Sequence, residues 1–232
     1  MSERFFDVSG YDYAHRGLWG GDVPENSLAA FEAARAAGYG VELDVRLTMD
    51  GLPVVFHDAT LERMCGRDEI VDRLKADELS VARLPDGSHI PSLERVLDVM
   101  EGLPVLIELK VDDNPSDIAE RVAAVINGRR GLLAVMSFDE PTVAQLCRLV
   151  TDRPIGLLVA PDNNPMQIAT KAATARGLGC DYVGPHHSIL SEMAEASGGL
   201  PMVTWTVRTD KELATAREYG AAPIFEGPSV EL

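Results

Sequence analysis

Cysteine is scarce in this chain: Cys65, Cys147 and Cys180 are odd in number and far apart. That spacing gives neither a disulfide framework nor a thiolate metal site, and it suits free thiols in a reducing compartment. No apolar run approaches the length that crosses a bilayer. The opening Met1-Ser2-Glu3-Arg4-Phe5-Phe6 lacks a basic stretch followed by a long apolar one, so it does not read as a signal peptide. Cytoplasmic placement without stable membrane insertion is therefore the expectation. Positive charge is also short: 21 Lys and Arg stand against 37 Asp and Glu, a formal net charge of −16. Such a chain repels nucleic acid and anionic surfaces at long range. An anionic small-molecule substrate would need local positive charge, which a bound metal supplies. Internal repeats, low-complexity segments and interdomain linkers are also lacking.

What is present is enough for a core. Hydrophobic residues make up 46% of 232 positions, and the whole of 1–232 reads as one domain. Short apolar runs recur at 11–15, 40–48, 104–110, 132–138, 154–160, 180–184, 201–207 and 223–226. Helical patterns separate them. The first opens at Asn26 or Ser27 as N-cap, runs through Leu28, Phe31, Ala34 and Ala37, and stops at Gly38. Later helices are expected over 116–127, 140–150, 165–176, 189–196 and 210–219, with another capped by Ser92. After the second strand the chain turns at Met49-Asp50-Gly51 and returns through 52–57; the charged, irregular stretch 59–90 then reads as a short insertion. Eight strands alternating with helices predict a parallel sheet covered on both faces. His15-Arg16-Gly17 stands where an open nucleotide-binding sheet would carry its glycine-rich loop, so a closed (β/α)₈ TIM barrel is expected. Any eighth helix is vestigial or missing.

A barrel of this kind keeps its site at the C-terminal ends of its strands. Glu42 and Asp44, two apart on a strand, project to one face. Two carboxylates there are costly without positive charge between them. Glu108 is the third carboxylate at that end, and together they suit one hard divalent cation, Mg²⁺ or Ca²⁺. Arg16 and Lys110 supply charge for a phosphate, one as a planar fork and one as a point charge. His15 and His57 offer one base and one acid. Each residue also has a plainer reading: a structural histidine, a Glu108–Lys110 ion pair at a sheet edge, a core Trp205. Their gathering at one end of the barrel favours displacement at phosphorus.

The motifs resemble the glycerophosphodiester phosphodiesterase family. They are His15-Arg16-Gly17, Pro24-Glu25-Asn26-Ser27, Glu42-Leu43-Asp44-Val45, Thr48-Met49-Asp50-Gly51 and Val54-Val55-Phe56-His57-Asp58 with Leu61 and Arg63, then Ile90-Pro91-Ser92-Leu93-Glu94, Ile107-Glu108-Leu109-Lys110 and Trp205-Thr206-Val207. The resemblance covers the whole chain, densest in its first half. It implies a TIM barrel that hydrolyses glycerophosphodiesters to glycerol 3-phosphate and an alcohol. It implies His15 and His57 as the acid/base pair, and Glu42, Asp44 and Glu108 as ligands of Mg²⁺ or Ca²⁺, with Mn²⁺ as a further candidate. Arg16, Lys110 and Trp205 become substrate or phosphate contacts, and Glu25 and Asn26 structural residues of the first loop, with Glu25 also within reach of the site. The alternatives are a barrel phosphodiesterase for lysophospholipids and a non-catalytic glycerophosphate-binding protein. The chain departs from the family at Met64-Cys65-Gly66, at Arg208, where an Asn is usual, and at Phe225-Glu226-Gly227-Pro228, where an Asp-containing turn is usual. His186-His187 matches no family motif and is assigned a structural or rim role. The head group, the oligomeric state and the division of acid and base between the histidines are left open.

Overall fold

The structure, a computed structural model, describes residues 6–112 and 117–227. In chain order its elements are β1 (Tyr13–His15), α1 (Leu28–Ala37), β2 (Gly40–Leu47), β3 (Pro53–Val55), α2 (Glu62–Cys65), α3 (Ala76–Leu79), α4 (Leu93–Val99), β4 (Val105–Leu109) and α5 (Ile118–Ile126). They continue as β5 (Leu133–Ser137), α6 (Glu140–Leu149), β6 (Ile155–Val159), α7 (Pro165–Leu178), β7 (Tyr182–Pro185), α8 (Leu190–Ala196), β8 (Met202–Val207), α9 (Asp210–Glu218) and β9 (Ala221–Phe225). Among the described residues, eight parallel strands run in the order β1-β9-β8-β7-β6-β5-β4-β2, and β1 pairs with β2 to close the barrel. The hairpin return β3 lies outside that ring, antiparallel to β2 with Val45 opposite Val55. The expected TIM barrel is therefore the fold.

Period-two alternation sorts each strand between two cores. On β2 the residues Val41, Leu43, Val45 and Leu47 join the outer core, shared with Phe31 and Ala34 of α1 and Val96 of α4. Residues of the opposite phase face the barrel axis. There Tyr13, Leu106, Met136, Leu158, Tyr182, Val203 and Ile224 form a second cluster. Val8, in a 3₁₀ turn at Val8–Gly10, joins the inner core, and its carbonyl accepts a hydrogen bond from Tyr13 Oη at 2.8 Å. Inside so narrow a barrel, large rings need empty space opposite them. A Cβ on Gly156 would sit 2.3 Å from the Tyr182 ring.

Register carries the inner residues to the site. Across β1 and β2, His15 lies opposite Glu42; across β2 and β4, Asp44 lies opposite Glu108. Neighbouring strands are about 4.8 Å apart, so these four residues meet wherever their side chains share the inner face. On β8 the pairing steps from Thr204–Pro223 to Val207–Phe225, leaving Trp205 and Thr206 against a single partner position. That bulge lets Trp205 and Thr206 both line the cleft, while Val207 packs into the outer core.

The expected insertion folds as α2, a 3₁₀ turn at Val71–Arg73 and α3. It has a small core of its own, Leu61, Val71, Leu79, Ala82 and Leu84 against Val54 and Phe56 of the return strand. Ser27, not Asn26, caps α1: its Oγ accepts from Ala30 N. The expected start of α5 at Ser116, and any segment after Gly227, lie outside the described residues.

Candidate active site

The loop after β1 is built from left-handed backbone. Arg16 has φ 58° and Asn26 φ 54°, and the two are tied by a hydrogen bond from Asn26 N to Arg16 O at 2.9 Å. A non-glycine residue rarely holds such a conformation, and each instance costs roughly 1–3 kcal/mol. The strain turns both side chains onto the end of β2. Arg16 Nη1 donates to Glu25 Oε1 at 2.8 Å and its Nε lies 3.1 Å from Asp44 Oδ2, while Asn26 Nδ2 donates to that same Oδ2 at 2.9 Å. Gly17 must follow, since a Cβ there would meet Ala30 at 2.8 Å.

Glu42, Asp44 and Glu108 are all buried, and one carboxylate oxygen from each lies within 4.8 Å of the others. Lys110 Nζ stands 3.0 Å from Asp44 Oδ1 and 2.5 Å from Glu108 Oε1. Burial opposes ionisation of Asp44, but Lys110 and Arg16 overcome it and hold the carboxyl well below the ordinary range. Glu42 has the reverse balance. Burial, Asp44 and Glu108 push its carboxyl well up, and neither of its oxygens has a hydrogen-bond partner. Burial pushes Glu108 up as well, with Lys110 opposing. A buried ion without compensation costs several kcal/mol. These oxygens, hard and converging, fit a divalent cation.

The two histidines flank this cluster. His15 Nε2 is 3.9 Å from Glu42 Oε2, and its buried Nδ1 faces Glu226 Oε1 at 3.7 Å. His57 Nδ1 pairs with Asp58 Oδ1 at 2.6 Å, and Arg63 Nε reaches Asp58 Oδ2 at 2.6 Å. Burial pushes the His57 imidazolium down, Lys110 and Arg16 add to this, and Asp44 opposes it. His15, Arg16, Glu42, His57, Glu108 and Lys110 all line one cleft of about 300 Å³, the lower end of the usual size for small-molecule sites. Its far wall is aromatic. Trp205 meets Phe138 edge-on at 5.4 Å and His186 at 4.8 Å, and its Nε1 is spent on Gly184 O.

A model of the glycerophosphoryl diester phosphodiesterase family matches residues 15–226. The chain belongs to that family. A glycerophosphodiester phosphodiesterase of Bacillus altitudinis is 38% identical over 233 residues, 92% of each chain. A probable glycerophosphodiester phosphodiesterase 2 of Mycobacterium tuberculosis is 34% identical over 144 residues, which span 60% of this chain and 53% of that one. Among solved structures, a phosphodiesterase of Oleispira antarctica in complex with the product sn-glycerol-3-phosphate shares the fold at TM-score 0.79 and 22% identity, covering 93% of this chain and 92% of that one.

For this member of the glycerophosphoryl diester phosphodiesterase family, every expected site residue reaches the cleft or the acid cluster. His15, Arg16, Glu42, His57, Glu108, Lys110 and Trp205 line the cleft, and Asp44 lies beneath them. Sequence reasoning missed the outer partners. Asn26, expected as structural, donates directly to Asp44, while Glu25, expected as structural but within reach of the site, accepts from Arg16. Asp58, Arg63, Arg208 and Glu226 carry no signal of a site role in the sequence beyond their place in motifs or in departures from them. His186, expected in a structural or rim role, lies just beyond β7 at the entry to a 3₁₀ turn at His187–Ile189, with its ring 4.1 Å from that of His187 and tilted 37° to it. His186 lines the cleft and His187 faces Glu212.

Proposed function

We propose that this chain hydrolyses glycerophosphodiesters to glycerol 3-phosphate and an alcohol, with Glu42, Asp44 and Glu108 holding one divalent cation. The observation that carries the proposal is the register. It sets His15 beside Glu42 and Asp44 beside Glu108 at the mouth of the barrel, with Arg16 and Lys110 on the same carboxylates. The product in the Oleispira structure supports the substrate class. When bound, the cation supplies positive charge for the phosphoryl oxygens and for the attacking oxygen. Mg²⁺, Ca²⁺ and Mn²⁺ are the candidates, and the oxygen-only ligand set favours the first two.

The chain's own residues do the rest. Arg16 and Lys110 bind the phosphate, with Arg16 held in its strained turn by Glu25 and Asn26. One imidazole of His15 and His57 accepts the proton of the attacking hydroxyl, which is the glycerol 2-hydroxyl or water. The other donates a proton to the leaving alkoxide. Phe138, Trp205 and His186 give the substrate carbons an apolar surface on the far side. The single barrel supports reading 1–232 as one domain with 59–90 as its insertion. Cytoplasmic placement belongs to the same proposal and is supported by three cysteines without a disulfide. Among the described residues no helix is long and apolar enough to cross a membrane.

The test is hydrolysis by purified protein of a panel of glycerophosphodiesters and one lysophospholipid, with Mg²⁺, Ca²⁺ or Mn²⁺ and with chelator. Release of glycerol 3-phosphate, lost on chelation and restored by metal, is the expected result. Full turnover by metal-free protein would refute the cation site. Release from none of the diesters would refute the activity.

A further inference from the structure

His15 and His57, the two histidines that flank the acid cluster, are backed the same way. Behind His57 stands Asp58, held by Arg63. Behind His15 stands Glu226, held by Arg208, whose Nε and Nη2 both lie 2.5 Å from Glu226 Oε2. In each case the carboxylate faces Nδ1 of the ring. The two arrangements come from opposite ends of the chain. Asp58 is the sequence neighbour of its histidine, whereas Glu226 reaches His15 only because β9 lies beside β1 in the closed barrel.

Resting on the activity proposed above, we infer that Glu226 is a positioning residue for His15. It keeps the ring proton on Nδ1, so that Nε2 is the nitrogen presented to the reaction. Three observations carry this. Nδ1 of His15 is buried and has no hydrogen-bond partner, and Glu226 Oε1 faces it at 3.7 Å. The other Glu226 oxygen is taken by Arg208, so the carboxylate cannot turn freely. Nε2 points to the other side, toward Glu42 and the cleft. His15 and Arg208 also hold the Glu226 carboxyl down at about 2, against burial, so it is an acceptor throughout the neutral range. The hydrogen bond at one ring nitrogen sets the role of the other. Without Glu226 the proton is free to sit on Nε2, which exchanges the donor and acceptor roles of the two ring nitrogens.

The experiment is long-range ¹H–¹⁵N spectroscopy of the histidine rings in Mg²⁺-loaded protein, at alkaline pH where imidazoles are neutral, together with steady-state kinetics. In the parent, His15 is expected as the Nδ1–H tautomer. Glu226→Ala should give a mixture with Nε2–H and lower kcat about 10–100-fold, with KM little changed. Glu226→Gln, whose amide oxygen still accepts a hydrogen bond, should keep the tautomer and most of the turnover. Should Glu226→Ala fail to fold, Arg208→Met removes the fork that holds the carboxylate and should shift the tautomer in the same direction. A parent ring in the Nε2–H form, or a Glu226→Ala variant with unchanged tautomer or unchanged kcat, would overturn the inference. If the parent hydrolyses no glycerophosphodiester, the proposed activity fails, while the spectrum still decides what Glu226 does to His15.

Discussion

The Lys110 ammonium lies 3.0 Å from the buried Asp44 carboxylate, on the same cluster that a cation would occupy. Lys110 therefore neutralises the cluster and, under the proposed function, also meets the phosphate. Removing one partner of a buried pair strands the other, at about 3–5 kcal/mol. Lys110→Met should lose stability on that scale in urea unfolding without metal. Added Mg²⁺ should recover more stability in the variant than in the parent, because ligand bound to the native state stabilises it. Equal gains in both proteins would count against a cation on these carboxylates.

His15→Ala and His57→Ala should each lower turnover by about 10²–10⁴-fold, the usual contribution of a general acid or base. Their circular dichroism should match that of the parent, since both rings lie at the cleft rather than in either core. Near-normal rates in either variant would remove that histidine from the proton transfers.

Gly17→Ala tests the strained loop. Its φ of 84° and a Cβ 2.8 Å from the Ala30 backbone leave no room for a methyl group. A loss of about 1–3 kcal/mol is expected, read from the urea midpoint. Because Arg16 precedes it, KM should rise as well. An unchanged midpoint would show that the loop relaxes without strain.

Glu25 ties Arg16 to Arg63. Burial opposes its ionisation, yet Arg63 and Arg16 win and hold its carboxyl below the ordinary value. A lowered carboxyl stabilises the fold fully above its unfolded pKa of about 4.3. That stability is lost as pH falls through the lower folded value. The stability gap between parent and Glu25→Gln should therefore be widest near neutrality and shrink on the acid side. A gap that stays constant with pH would mean that the charge of Glu25 does not contribute.

The legible parts of the site were those coded locally. Glu42 and Asp44 share a strand phase, and Glu108 repeats the pattern, so their facing could be read from spacing alone. Asp58 was adjacent to His57 and could have been recognised, but nothing local shows that its carboxylate turns back onto the ring. Glu226 was legible only as a departure from a motif, because its partner His15 is at the other end of the chain. His186 lies just past the end of β7, at the start of a 3₁₀ turn, so no motif or strand period shows that it joins the cleft wall.

The alternation of apolar strands and helices, the scarcity of cysteine and the charged strand ends determined by themselves a barrel with a polar mouth and a carboxylate-rich cleft. Such properties depend on side-chain period and composition, which are written residue by residue. Closure of the ring decided the rest. Pairing β1 with both β2 and β9 sets His15 between Glu42 and Glu226. The β8 bulge turns Trp205 and Thr206 onto the same wall. Register and closure come from long-range hydrogen bonding between strands, and no local stretch of the sequence contains both partners.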